Sequence, residues 1–175
     1  MQPSHDPTTD MEVRTDSEAR EKVMDLIREA RFAMFGTYDA TGRSHSRPMA
    51  AVKHEEPDTL WFFCRADSRK VREIERDRRV TIDYSDPSNN HWISVLGHAE
   101  VVNDRGRIDD LWMEPLRTWF PDGKDDPEIR LLKVEIEVAE YWDAPSSIVT
   151  HGYGYLKAVF TGEPPALGDI AQVRM

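Results

Sequence analysis

Apolar positions along the chain follow two rhythms, one suited to strands and one to helices. From 60 to 64 they run without a break: Leu60, Trp61, Phe62, Phe63 and Cys64. That run is too short for a helix and rich in aromatics, so it predicts a buried strand. It passes through Arg65-Ala66-Asp67 into a segment where Val71 and Ile74 stand three apart, the stripe of a short helix. Asp67 or Ser68 is placed to cap that helix, since either side-chain oxygen accepts from an N–H left open in the first turn. Upstream, Ala19, Val23, Leu26, Ile27 and Ala30 predict a packing helix over 17–30, with Thr15 and Glu18 as a capping box. A hairpin follows, with strands at 33–39 and 44–53 and a turn at 40–42 where Gly42 suits positive φ. Pro48 donates nothing to a ladder, which predicts an edge or a bulge around 47–49. Ala50 and Ala51 suit ordinary barrel packing first, and second leave room for a flat ring close to the backbone.

The remaining pattern is mostly extended. A strand at 80–84 ends in the turn cluster SDPSNN. Another at 91–103 places Ile93, Val95, Ala99 and Val101 on one face, with a bulge or bend at Gly97. Residues 104–118 read as helical until Pro115 limits the last turn, and 119–123 as a loop presenting Trp119 and Phe120. In the strand at 131–141, Leu132, Val134, Ile136 and Val138 face inward and Lys133, Glu135 and Glu137 outward. A short element is expected at 153–160. The expected organisation is a disordered leader at 1–14, one domain at 15–160 and a mobile tail at 161–175. About six strands with short connections and peripheral helices predict a mainly β (α+β) fold, a small closed β-barrel. Neither the regular βαβ alternation nor the GxGxxG of a Rossmann fold is present.

Charge narrows the partners. The 175-residue chain carries a formal net charge of −10, which argues against a broad nucleic-acid surface or an anionic membrane, since both need a basic footprint. Segment 65–79 runs against that balance: Arg65, Arg69, Lys70, Arg72, Arg76, Arg78 and Arg79 outnumber Asp67, Glu73, Glu75 and Asp77. Ser68, Arg69 and Lys70 set a hydroxyl and two cations beside open N–H groups at the positive end of a helix dipole, the parts of a phosphate site. A solvated helix face laced by pairs such as Arg69–Glu73 is the competing reading. Cys64 is the only cysteine, so no intrachain disulfide is possible, and its apolar strand marks it as a buried residue. The six histidines form no HExxH and no ligand pair at helical spacing, so no metal is expected. No GxSxG marks a nucleophilic serine. The polar start and the lack of an apolar run of about 20 residues predict neither a signal peptide nor a membrane span, hence a cytoplasmic protein.

The segments SRPMAAV, WFFCRADSRKVREI, HWISVLGHAEVV, WFPDG and LLKVEIEVAEYWD together resemble the pyridoxamine 5′-phosphate oxidase-like, FMN-binding split barrels. Within them the general stress protein 26 group is nearest, over roughly residues 17–145. The resemblance implies a six-stranded split β-barrel that binds FMN, with FAD possible, at the interface of a homodimer. Carried over position by position, Arg47, Pro48, Met49, Ala50, Ala51 and Val52 would lie along the flavin ring. Phe63 and Cys64 would touch it, and Ser68, Arg69 and Lys70 would hold the phosphate. Trp92 of the second subunit would close the pocket, with Trp142 near the cofactor. The segment DAPSSIVTHGYGYLKAVF lacks the arginine and histidine cluster with which true pyridoxamine phosphate oxidases grip substrate, so that activity is not expected. The resemblance implies a flavin-dependent oxidoreductase with no assigned catalytic side chain. A non-enzymatic flavin-storage stress protein is the first alternative, and a barrel holding haem or a deazaflavin the second.

Overall fold

The computed structural model describes residues 12–30, 32–52, 56–143 and 169–175. The elements in chain order are β1 (Glu12–Arg14), α1 (Ser17–Glu29), β2 (Ala33–Tyr38), β3 (Ser44–Met49), β4 (Ala51–Val52), β5 (Thr59–Arg65), α2 (Arg69–Arg76), β6 (Arg79–Asp86), β7 (His91–Val102), α3 (Arg105–Leu111), a 3-10 turn (Glu114–Thr118), β8 (Ile129–Asp143) and β9 (Asp169–Arg174). The expected element at 153–160 lies outside the described residues.

All the strands belong to one sheet, ordered β1-β9-β8-β7-β6-β2-β3, with β5 joined to β8 and β4 to β5. Among the described residues the ladder does not close, in contrast to the closed barrel that the strand pattern predicts, because β3 and β5 end on different partners. β3 pairs with β2 and β4 with β5, and the single residue Ala50 separates β3 from β4. One extended run therefore serves both ends of the sheet and splits where it changes partners. This is the split barrel that the family resemblance implies, but with nine strands among the described residues where six were expected. Part of the surplus comes from the break at Ala50. The rest comes from β1 and β9, which pair with each other in parallel inside the segments expected to be leader and tail. Their apolar alternation is brief, with Ala171 and Val173 the buried positions of β9.

β5 shows why its apolar run is continuous. Leu60, Phe62 and Cys64 enter the main core with the α1 stripe, Val71 and Ile74 of α2, and the inner faces of β6, β7 and β8. Trp61 and Phe63 enter a second core with Ile108, Leu111, Leu116, Phe120, Ile129 and Leu131. A strand covered on both faces gains by making every side chain apolar. The helix cap differs from the expected one. Asp16, not Thr15, is the N-cap of α1, and its carboxylate accepts from Ala19 N–H at 2.9 Å.

Gly97 is a close-approach position. The β7–β8 register shifts between Leu96 and Gly97, and a Cβ on Gly97 would stand 2.3 Å from the Glu135 carbonyl oxygen. The same irregularity explains a departure in β8. Val138, expected inward, is only half-buried, while Ala139 and Tyr141 are buried, because the strand's phase changes there. Gly97→Ala is expected to destabilise the fold by about 2–3 kcal/mol, the cost of overpacking against backbone that cannot swing aside. Urea unfolding measures it, and an unchanged midpoint would contradict the close approach.

Candidate functional site

At the end of β5 the chain leaves the sheet at Phe63 and Cys64, turns through 65–68, and enters α2. The Ser68 N–H donates to the Arg65 carbonyl at 3.1 Å, and the Ala66 N–H to that of Glu128 at 2.8 Å, which fixes the turn. Ser68 is the N-cap residue of α2 with extended dihedrals, yet its side chain caps nothing, and no acid lies in the first helical turn. Its hydroxyl is buried without a hydrogen-bond partner. The start of this helix therefore keeps open N–H groups, an unpartnered hydroxyl and the positive end of a dipole together.

These groups border a cavity of about 460 Å³, within the range of small-molecule sites. Its polar wall is Arg47, Arg65, Asp67, Ser68 and Lys70. Its apolar wall is Pro48, Met49, Ala50, Phe63 and Cys64, together with Phe32, Leu116, Trp119 and Phe120. Leu116 and Phe120 are buried in the second core, where Phe120 lies 6.2 Å from Phe63 between ring centroids. Trp119 is 58% exposed.

Burial holds the Lys70 ammonium below its ordinary pKa, and neighbouring Arg47 lowers it further, against the opposing pull of Cys64 and Asp67. Arg47 is likewise lowered, first by burial, with Glu73 opposing. Burial pushes the Cys64 thiol up to about 11, against Lys70 and Arg130, so at neutral pH it is protonated and a poor nucleophile. Two partly desolvated cations and an unpartnered hydroxyl on one wall favour an anionic ligand, because an anion offsets the cost of their burial and gives the Ser68 hydroxyl an acceptor.

Arg47 is fixed from behind. Its Nη1 donates to Thr37 Oγ1 at 2.6 Å and to the Phe35 carbonyl at 3.2 Å, and its Nη2 to Glu73 Oε2 at 3.3 Å. Thr37 Oγ1 in turn donates to Glu73 Oε2 at 2.6 Å. Glu73 Oε1 accepts from Arg69 Nε at 2.6 Å. Burial raises the Glu73 pKa, but Thr37, Arg69 and Arg47 outweigh it and the net shift is downward.

The structure gathers eight of the sequence-predicted residues around the cavity: Arg47, Pro48, Met49, Ala50, Phe63, Cys64, Ser68 and Lys70. Ala51 packs against the main core and Val52 is buried in the second, so neither is among the lining residues. Arg69 also lies outside the lining and turns to Glu73, with Asp39 at 3.9 Å. Trp92 and Trp142 face each other across β7 and β8 and do not line the cavity of a single chain. Sequence reasoning missed Phe32, Arg65, Asp67, Leu116, Trp119 and Phe120 as lining residues. The WF pair at 119–120 was the visible signal, but its placement depends on the 3-10 turn folding over β5. Among the described residues no group of three or more His, Cys, Asp and Glu is arranged to hold a metal.

Fold and cavity define a split barrel with a cavity that is cationic on one wall and apolar on the other. The chain belongs to the pyridoxamine 5′-phosphate oxidase like family, whose model matches residues 18–166. General stress protein 26 of Bacillus subtilis is 29% identical over 121 residues, covering 67% of this chain and 84% of that protein. The crystal structure of a protein assigned to general stress protein 26 from Jannaschia sp. CCS1 superposes with a TM-score of 0.73 at 22% identity, covering 91% of this chain and 100% of that one. The general stress FMN/FAD binding protein of Xanthomonas citri superposes with a TM-score of 0.66 at 28% identity, covering 76% and 94% respectively.

Proposed function

We propose that this chain binds a flavin mononucleotide, with FAD the alternative, and that as a homodimer it is a flavin-dependent oxidoreductase of the general stress protein 26 type. The observation that carries the reading is the buried, unpartnered Ser68 hydroxyl beside Lys70 at the uncapped start of α2. The FMN/FAD binding of the Xanthomonas citri relative supports it. A bound flavin would supply hydride and single-electron chemistry. Ser68 and Lys70 would hold its phosphate. Arg47 would add positive charge, and the backbone of 48–50 with Phe63 would form a flat apolar bed that keeps water from the ring. Flavin storage is the second choice, because the same residues would serve it equally well.

One face of the sheet supports the homodimer reading. Register puts Met34, Asp83 and Ser94 on a common face, and Trp92 and Leu96 lie two residues to either side of Ser94. Met34, Trp92 and Leu96 are exposed large apolar side chains. Met34 is also the register partner of Pro48, a cavity residue, so this face reaches the cavity edge. A second copy seated there would cover both.

The experiment is the spectrum and mass of the chromophore that purifies with the protein, then anaerobic reduction by a nicotinamide nucleotide and reoxidation by an added acceptor. Flavin that cycles supports the oxidoreductase, and flavin that does not cycle supports storage. A haem or deazaflavin spectrum, or colourless protein that refuses FMN, would overturn the flavin reading. Conversion of pyridoxamine 5′-phosphate is not expected.

A further inference from the structure

Glu73 is 5% exposed, and among the described residues it shares full burial of a carboxylate only with Asp126. Asp126 holds a turn, accepting from the Glu128 N–H at 2.8 Å. Glu73 has a different setting. It closes a ring with Thr37 and Arg47, in which the threonine hydroxyl accepts from the guanidinium and donates to the carboxylate. Both Arg47 terminal nitrogens are thereby tied to the wall, and the guanidinium cannot leave it without breaking several bonds. The other Glu73 oxygen is taken by Arg69. Asp39 stands 3.9 Å from Arg69, and its carboxylate accepts from His45 Nε2 at 3.0 Å. The titratable and charged groups around this carboxylate are thus Arg47 from β3 and Arg69 from its own helix, with Asp39 and His45 behind Arg69, and Lys70 in the cavity wall.

We propose that Glu73 is a positioning residue with a second effect: it fixes Arg47 in the cavity wall and offsets its charge, which limits how strongly the cavity prefers an anionic ligand to a neutral one. This rests on the flavin reading above. A carboxylate placed only to hold the helix would affect all ligands alike. A carboxylate placed behind a cation that lines the cavity weakens anions selectively, since charges act more strongly through protein interior than through water.

The test compares FMN with riboflavin, which share the ring and differ in the phosphate. Glu73→Gln keeps an oxygen for Thr37 and Arg47 and removes the charge. It is expected to raise the ratio of FMN to riboflavin affinity several-fold, and Glu73→Asp, which restores the charge, to return the ratio towards wild type. Equal losses for both ligands, with the ratio unchanged, would overturn the proposal. Should Glu73→Gln not fold, the wild-type protein supplies the reciprocal measurement, because coupling between two sites acts equally in both directions. Carbon-13 NMR of the Glu73 carboxyl should show its pKa rising when FMN binds and not when riboflavin binds. An unmoved Glu73 pKa would overturn the proposal. If wild-type protein binds neither flavin, the flavin reading fails by itself. Inorganic phosphate then serves as the probe, with the same rise in the Glu73 pKa expected and an unmoved value rejecting the coupling.

Discussion

Lys70→Ala is expected to weaken FMN binding by about 10- to 150-fold, the loss of one charge-assisted contact worth about 1.5–3 kcal/mol. The ammonium is partly desolvated in the cavity wall, so part of its cost of burial is already met in the folded protein, and a bound phosphate recovers it. Ser68→Ala removes the buried hydroxyl that lacks a partner. Its effect should be at the low end of the same range, about tenfold, since only the phosphate side of that bond is charged. The two side chains share one ligand group, so the double variant is expected to fall short of the product of the single effects. Titration of flavin fluorescence gives all three affinities. Riboflavin, without the phosphate, should scarcely distinguish wild type from Lys70→Ala. FMN affinity unchanged in Lys70→Ala would remove the cationic wall from the binding account.

The second large effect belongs to the fold. Phe62 is 0% exposed and packs edge-on against Phe35 with ring centroids 5.0 Å apart. It pairs with Ala51 on one side and Leu132 on the other, so the strands on both sides hold the space open around it. Phe62→Ala is expected to cost about 3–5 kcal/mol, from lost transfer energy together with a cavity that cannot collapse. For a chain of this size that lowers Tm by roughly 10 °C. Calorimetry decides it, and a drop of only a degree or two would mean that this region repacks.

The sequence disclosed most where local chemistry and tertiary setting agree. The aromatic run of β5, the helix begun by Ser68 and the bulge at Gly97 each have a local signature, and each is present. The cationic start of α2 was legible as a type of site, but which of its three side chains line the cavity was not. Helical spacing puts Arg69 four residues before Glu73, and that contact turns it aside, a pairing visible in the sequence but weighable only once Glu73 is known to be buried. The apolar wall was less legible. Phe32, Leu116 and Trp119 come from three places along the chain, and no periodicity joins them. Ala50 shows a similar limit. Pro48 warned of irregularity nearby, but the break depends on one strand run leaving β2 for β5, a long-range event.

A helix that starts without its cap has a thermal consequence. Whatever fills the place beside Ser68 completes α2, and α2 sends Val71 and Ile74 into the main core. Occupancy and heat resistance then rise together, by about 2.7 kcal/mol at a hundredfold excess over Kd. In a cell short of ligand the empty form would be the one that melts first and is cleared by proteases. The abundance of the protein would then track the supply of what it binds, with no dedicated sensor.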